Sequence, residues 1–413
     1  MRELPRRRRR QGLPAAWRAP FTSAAVAGLL VPVALAAALA PARPAAGSPG
    51  GSPAPVFDSK LEWPLAAFQA GSLWAHARGA GVTVAVLDTG MNLRQPDLAG
   101  VVRWSADLVT HQKRGGGEDA SADSHGTAVA GIIAARGSAT SRAHMAGLAP
   151  GASLLDIRVS KQDAPVAPDI VAAGIRLAIS HSARIIDVSL PVSTTSRELA
   201  RAVALARAKH CVIVAGAGSA AQPQALAAYP SVLIIGAVGQ DRRPSGGPAG
   251  SARVSAYAPG TDLYSTGEPG KAGLAAGGYR HGLAGTGYAA AYFSAALALL
   301  LSVPSPQAAP VAAADLVRTE RPLAGRTGPG EIDPAVALAL VMPSPTPTPS
   351  PRHTSPGASG PGNKPGAGIP GYLAALLAVA VLGAITLVLL RRRQASGLRT
   401  SAPYHSAGHW EPW

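Results

Sequence analysis

Between about residues 61 and 340, short apolar and β-branched runs alternate with longer Ala-rich stretches of helical period. The runs at 83–87, 154–159, 185–189, 211–215 and 232–238 read as strands, and those at 125–136, 170–183, 197–209 and from 286 or 287 to 301 as helices. Strand, helix, strand in that order is the mark of an α/β fold: a doubly wound, mostly parallel sheet with helices on both faces. Asp88 then falls at the C-terminal end of a strand and His125 at the start of a helix, on the side where open α/β sheets bind ligands.

The two ends of the chain carry a different pattern. Arg6 to Arg10, an apolar stretch at 24–40 and the small, Pro-containing segment after it read as a signal peptide over residues 1–40. An uncleaved N-terminal anchor is the alternative, because Pro41 directly follows the Ala38, Leu39, Ala40 site and hinders cleavage there. Residues 41–60 form a Pro/Gly/Ser-rich extension, 61–340 the globular domain, and 341–370 a Pro-rich stalk with the polyproline character of a spacer. Residues 371–390 are twenty positions without a charge, about 30 Å as a helix and enough to cross the hydrocarbon core. Arg391, Arg392 and Arg393 follow at once, so the tail at 391–413 is expected in the cytoplasm and the globular domain outside the membrane.

Charge changes this picture little. The formal net charge is +16 over 413 residues, but eleven arginines and two glutamates in the terminal segments account for nine of those charges and leave +7 for the middle. With 4% aromatic residues and no basic patch interleaved with stacking side chains, the chain lacks the footprint of a nucleic-acid binder. No cofactor fingerprint or metal-ligand cluster stands out. The one cysteine, Cys211, excludes an internal disulfide; at the head of an apolar run it reads as a buried small hydrophobe rather than a reactive thiol.

Six blocks in order carry the chemistry: 81–90 with Asp88, Thr89 and Gly90; Pro96, Asp97 and Leu98; His125, Gly126 and Thr127; 147–152; Ala258, Pro259 and Gly260; and Gly285 with Thr286. These blocks resemble subtilisin-like peptidases, and with the stalk, the single apolar span and the short basic tail they resemble the mycosins, membrane-anchored peptidases associated with type VII secretion in actinobacteria. The resemblance covers roughly 61–336. It implies the fold already described, serine-peptidase chemistry, secretion-system membrane components as partners and a peptide or protein substrate. In that chemistry a serine attacks the scissile carbonyl, a histidine takes its proton, and an aspartate fixes the histidine tautomer. Asp88 and His125 match the last two roles.

The first role is vacant, because Gly287 stands at the nucleophile position. Thr286 is a poor replacement, since its side chain points elsewhere than its neighbour's, and Ser294 lies about two helical turns further on. Two further departures fall in the same site. Ser219 stands where the family carries the side-chain amide of the oxyanion hole, a donor whose loss in subtilisin itself costs roughly 100- to 1000-fold in rate. Ser189, Leu190 and Pro191 stand where the substrate-pairing strand continues with Gly, and Pro191 removes a backbone donor. Asp187 replaces a usual Asn with no role assigned. The expectation is a proteolytically dead or impaired member with a binding or stabilising role; an active endopeptidase with an unorthodox nucleophile is the alternative, and for Asp88 and His125 the structural alternative is a hydrogen-bonded pair that only ties a strand end to a helix start. On sequence grounds Gly287→Ser should return the triad with activity still low, and Ser219→Asn should then raise the rate roughly 100- to 1000-fold.

Overall fold

The computed structural model describes residues 55–110, 119–122, 124–137, 144–245, 253–268, 278–303 and 307–342. All lie in the first of two compact units, Met1–Ser344 and Pro345–Trp413. The expected signal peptide, apolar span and basic tail lie outside the described residues, as does the expected stalk from 343 on, its first two positions being the last residue and the cap of a helix, Pro334–Val341; among the described residues, no helix is long and apolar enough to cross a membrane.

In chain order the elements are α1 (Trp63–Ala67), α2 (Ala70–Trp74), β1 (Thr83–Asp88), β2 (Val102–Asp107), α3 (His125–Ala134), β3 (Ser153–Arg158), α4 (Pro168–Ser180), β4 (Ile185–Val188), α5 (Arg197–Ala208) and β5 (Val212–Gly216). Then come β6 (Val232–Val238), β7 (Pro244–Ser245), β8 (Ala256–Pro259), β9 (Leu263–Thr266), β10 (Tyr279–Leu283), α6 (Thr286–Ser302), α7 (Ala309–Arg318) and α8 (Pro334–Val341). Strands β2, β3, β1, β4, β5 and β6 pair in that order, all parallel. At the far edge β8 pairs parallel with β6, and β7 antiparallel. A separate ribbon joins β9 to β10.

The strand period of two divides the sheet's side chains between two cores. Val84 and Val86 of β1 and Val212 and Val214 of β5 join one cluster with α3 and α6; Ala85, Leu87, Ile213 and Ala215 join the other, beneath α4 and α5. Helix α6 carries no charged residue, and its residues from Thr286 to Leu301 are all buried, which suits a helix apolar on every side. Helices α4 and α5 cover the opposite face and keep their charged residues outward, Arg197 and Arg201 among them.

The five strands and four helices predicted from the sequence are present, with shifted ends. Strand β4 stops at Val188, so Ser189 lies just beyond the sheet, and β5 begins at Val212, leaving Cys211 half-buried with its Sγ 3.0 Å from the Ala183 carbonyl. Burial raises the Cys211 thiol above its ordinary pKa, in keeping with an unreactive side chain.

Candidate active site

β1 ends at Asp88, between neighbours β3 and β4, where the order of the sheet reverses and a crevice opens at the strands' C-terminal ends. Helix α3 starts at this crevice, and three of its first backbone N–H groups have acceptors from nearby side chains. His125 N donates to Ser121 Oγ (2.8 Å), Gly126 N to Thr89 Oγ1 (3.0 Å) and Thr127 N to Asp119 Oδ2 (2.7 Å). Asp119 also accepts from the hydroxyls of Thr89 (2.7 Å), Ser121 (2.7 Å) and Thr127 (2.8 Å), so one buried carboxylate joins the end of β1 to the start of α3. Gly126 is required by the close approach: a Cβ there would lie 2.2 Å from the Gly90 carbonyl oxygen. His125 is thereby brought onto Asp88, with Nδ1 2.8 Å from Oδ1. Asp88 Oδ1 also accepts from Thr89 N at 2.7 Å. An Nδ1 proton donated to Asp88 leaves Nε2 as the basic nitrogen, the tautomer a general base needs.

The other wall is the first turn of α6. Thr286 Oγ1 accepts from Gly218 N at 3.0 Å, which ties its side chain to the loop after β5. Thr286→Val should leave that N–H without its partner and cost about 1 kcal/mol, read from urea unfolding midpoints at constant m. Ser219 follows in a tight turn, its Oγ accepting from Gln222 N at 3.1 Å and its N donating to Gln222 O at 3.0 Å. It lines a cavity of about 280 Å³ together with His125, Ser189, Pro191 and Gly287. The sequence-predicted site residues therefore do converge. Leu190 is the exception among them, being fully buried in the core under α4 and α5.

The structure corrects one expectation directly. Position 287 is not an open place waiting for a hydroxymethyl group: a Cβ there would lie 2.4 Å from the Ser189 carbonyl oxygen, 3.2 Å from the Ser189 carbonyl carbon and 3.3 Å from Ser189 Cβ. The obstruction is backbone, which cannot rotate away. Ser189 is held in this position from its own side, since its Oγ is hydrogen-bonded to Asp187 Oδ1 and lies 3.1 Å from the Gly287 carbonyl oxygen. Asp187, given no role by its sequence context, is fully buried, and its second oxygen accepts from Ser294 Oγ of α6 at 2.6 Å. Ser294 is accordingly a tie between α6 and β4. Burial pushes the Asp187 carboxyl up to about 7, against the lowering effect of the two serine hydrogen bonds. Asp156 on β3 is likewise raised well above the ordinary carboxylate range, by burial first and then by the charges of Asp119 and Asp88.

The strand edge on which an extended peptide would lie is also occupied. Leu190 O accepts from Gln224 Nε2 (3.2 Å), Pro191 has no N–H, Pro191 O accepts from Val166 N (2.8 Å), and Val192 N donates to Gln224 Oε1 (3.1 Å). Gln224 and Asp119 were missed from the sequence. Each does its joining through partners remote in the chain, Asp119 with Thr127 and Thr89 at 8 and 30 positions and Gln224 with Val192 and Leu190 at 32 and 34, and neither stands in a motif.

An Asp–His pair at the C-terminal edge of this sheet, facing the first turn of a buried helix, defines the subtilisin-type α/β fold and the orienting half of its triad. The subtilase family model matches residues 79–331, and the chain belongs to the subtilase family. Thermitase of Thermoactinomyces vulgaris is 33% identical over 214 residues, 51% of this chain and 74% of that protein. The major intracellular serine protease of Bacillus subtilis (strain 168) is 33% identical over 245 residues, 57% of this chain and 73% of that protein. Among solved structures the chain is similar to a mycosin, MycP1, solved with its N-terminal propeptide removed. The TM-score is 0.55 at 28% identity, covering 67% of this chain and 96% of that one. Fervidolysin from Fervidobacterium pennivorans, a keratinolytic enzyme related to subtilisin, aligns with a TM-score of 0.58 at 27% identity, over 69% of this chain and 46% of that one.

Proposed function

We propose that this subtilase is a membrane-tethered, non-proteolytic relative of the mycosins that serves as a binding or stabilising component of a type VII secretion apparatus. The observation that carries the non-proteolytic reading is the Ser189 carbonyl, 2.4 Å from where the nucleophile's Cβ would stand above an intact Asp88–His125 pair. Loss of a serine alone is one substitution; a backbone oxygen 2.4 Å from the Cβ position leaves no room for a side chain there either. The occupied acceptors of Leu190 and Pro191 favour partner binding through other surfaces over capture of an extended peptide in this cleft. The purified protein should neither hydrolyse peptides nor react with a fluorophosphonate probe. Stoichiometric labelling abolished by His125→Ala, whether it maps to Ser189 or to Ser219, would overturn the reading in favour of an active endopeptidase with a relocated nucleophile.

The tether and its orientation are part of the same proposal and rest on the uncharged run at 371–390 followed by Arg391, Arg392 and Arg393. Protease added to intact cells is expected to release the folded domain by cutting within 343–370 while leaving an epitope placed after Arg399 protected. Cleavage of that epitope from outside would refute the topology.

A further inference from the structure

The contact that closes the nucleophile position contains a proton-counting problem, and its solution assigns a role to Asp187. Ser189 Oγ lies within hydrogen-bond reach of two acceptors, Asp187 Oδ1 and the Gly287 carbonyl oxygen at 3.1 Å. A hydroxyl carries one hydrogen, and an ionised carboxylate only accepts. With Asp187 ionised, Ser189 satisfies Asp187 and leaves its approach to Gly287 O without a hydrogen. With Asp187 protonated on Oδ1, the carboxyl donates to Ser189 Oγ and Ser189 donates onward to Gly287 O, while Ser294 still donates to Oδ2 at 2.6 Å. Only the protonated form makes every one of these contacts a hydrogen bond, and the resulting chain runs from β4 through Ser189 into the first turn of α6.

We infer that Asp187 is a positioning residue and proton-held latch that pins the segment after β4 against the first turn of α6, keeping the Ser189 carbonyl over position 287. The surroundings fit such a device. Asp187 is flanked in register by Val86 of β1 and Val214 of β5, which offer no alternative partner. The charged groups bearing on it are Asp88 at the end of β1, which raises its pKa, and His125 at the start of α3, which lowers it; α6 presents the neutral Ser294. Burial, the largest influence, places the transition at about 7, so the latch is made in mildly acidic conditions and loosened above them. The inference concerns the cleft itself and does not depend on which partner the protein serves.

Amide hydrogen exchange on the full chain in detergent, resolved over 185–192 and 284–290 and corrected for intrinsic rates, reads the latch without any ligand. Exchange in both segments should be roughly five- to tenfold faster at pH 8.5 than at pH 6, the value of one hydrogen bond of ordinary strength. Asp187→Asn supplies a permanent donor beside its acceptor oxygen and should stay protected at both pH values. Ser189→Ala cannot relay the proton and should exchange fast at both. Equal protection of the wild type at the two pH values, or an unchanged pH response in Asp187→Asn, would overturn the inference. Since neither readout involves catalysis or a partner, failure here leaves the non-proteolytic reading standing, and activity in the fluorophosphonate assay leaves the latch standing.

Discussion

Gly287→Ser is expected to yield a protein that still folds, is less stable by about 1–3 kcal/mol, and shows no gain in peptide hydrolysis or fluorophosphonate labelling. In an unobstructed subtilisin-type site the same substitution would place a hydroxyl beside a histidine already oriented by its aspartate, and labelling would follow at once. Here the new Cβ meets the Ser189 carbonyl oxygen at 2.4 Å, well inside any tolerated contact. Relief requires either the first turn of α6 or the end of β4 to move. The α6 turn is held by Gly218 N on Thr286 Oγ1, and the β4 end by the Asp187, Ser189 and Ser294 hydrogen bonds. Adding Ser219→Asn should not rescue activity, because an oxyanion donor contributes only once a nucleophile is in place. Urea unfolding of wild type and variant, with probe labelling on the same samples, checks both halves. Stoichiometric, His125-dependent labelling of the single variant would show that the Ser189 segment yields easily and that the site is damaged only at its nucleophile.

Strands β1 and β3 to β6 announced themselves because both of their faces are largely buried, so apolar residues dominate each run even where Asp156 interrupts β3 and Asp187 interrupts β4. The Asp88–His125 pair was legible because its residues sit in local motifs whose turn and close-packing glycine, Gly126 against Gly90, belong to the same few positions. Edge strand β2 gave no such run: Arg103 is exposed, and Val102, Trp104 and Ser105 are only partly buried. Helices α1 and α2 are five residues each, too short for a periodic pattern to register. The obstruction at 287 is a contact across 98 positions between a backbone oxygen and an absent side chain, and no residue identity encodes it. Asp187 did stand out as a substitution; what it does became readable only with Ser294 of α6 placed above it.

Stability should fall, not rise, as pH increases from 5 to 8.5, by several kcal/mol and so by a large fraction of the total for a domain of ordinary stability. Glu62 is 1% exposed and held by Ala146 N (2.9 Å) and Asp58 N (3.0 Å), yet burial outweighs these bonds and pushes its carboxyl up to about 8. Asp187 is raised to about 7 and Asp156 is raised as well, both mainly by burial. A carboxyl whose folded pKa lies above its unfolded value binds its proton more tightly in the native state. Its contribution is fully present below the unfolded pKa and is lost as pH climbs toward the folded one. For Glu62 and Asp187 the windows open near the ordinary carboxylate range and close near 8 and 7 respectively. Each is worth on the order of 4 kcal/mol by linkage, with incomplete additivity expected for groups in one core. Asp107 works in the opposite sense: burial alone would raise it, but hydrogen bonds from Thr110 and Val109 and the charge of Arg158 hold it below its usual value, so its contribution is lost only in stronger acid. Urea midpoints at pH 5 and 8.5 should therefore differ in favour of pH 5, and Glu62→Gln should reduce the difference by removing one titration while Asp187 and Asp156 retain theirs. A midpoint at pH 8.5 equal to or above that at pH 5 would mean that these carboxyls find solvent or a cation when ionised, and that the packing around Glu62 and Asp187 is looser than their burial implies.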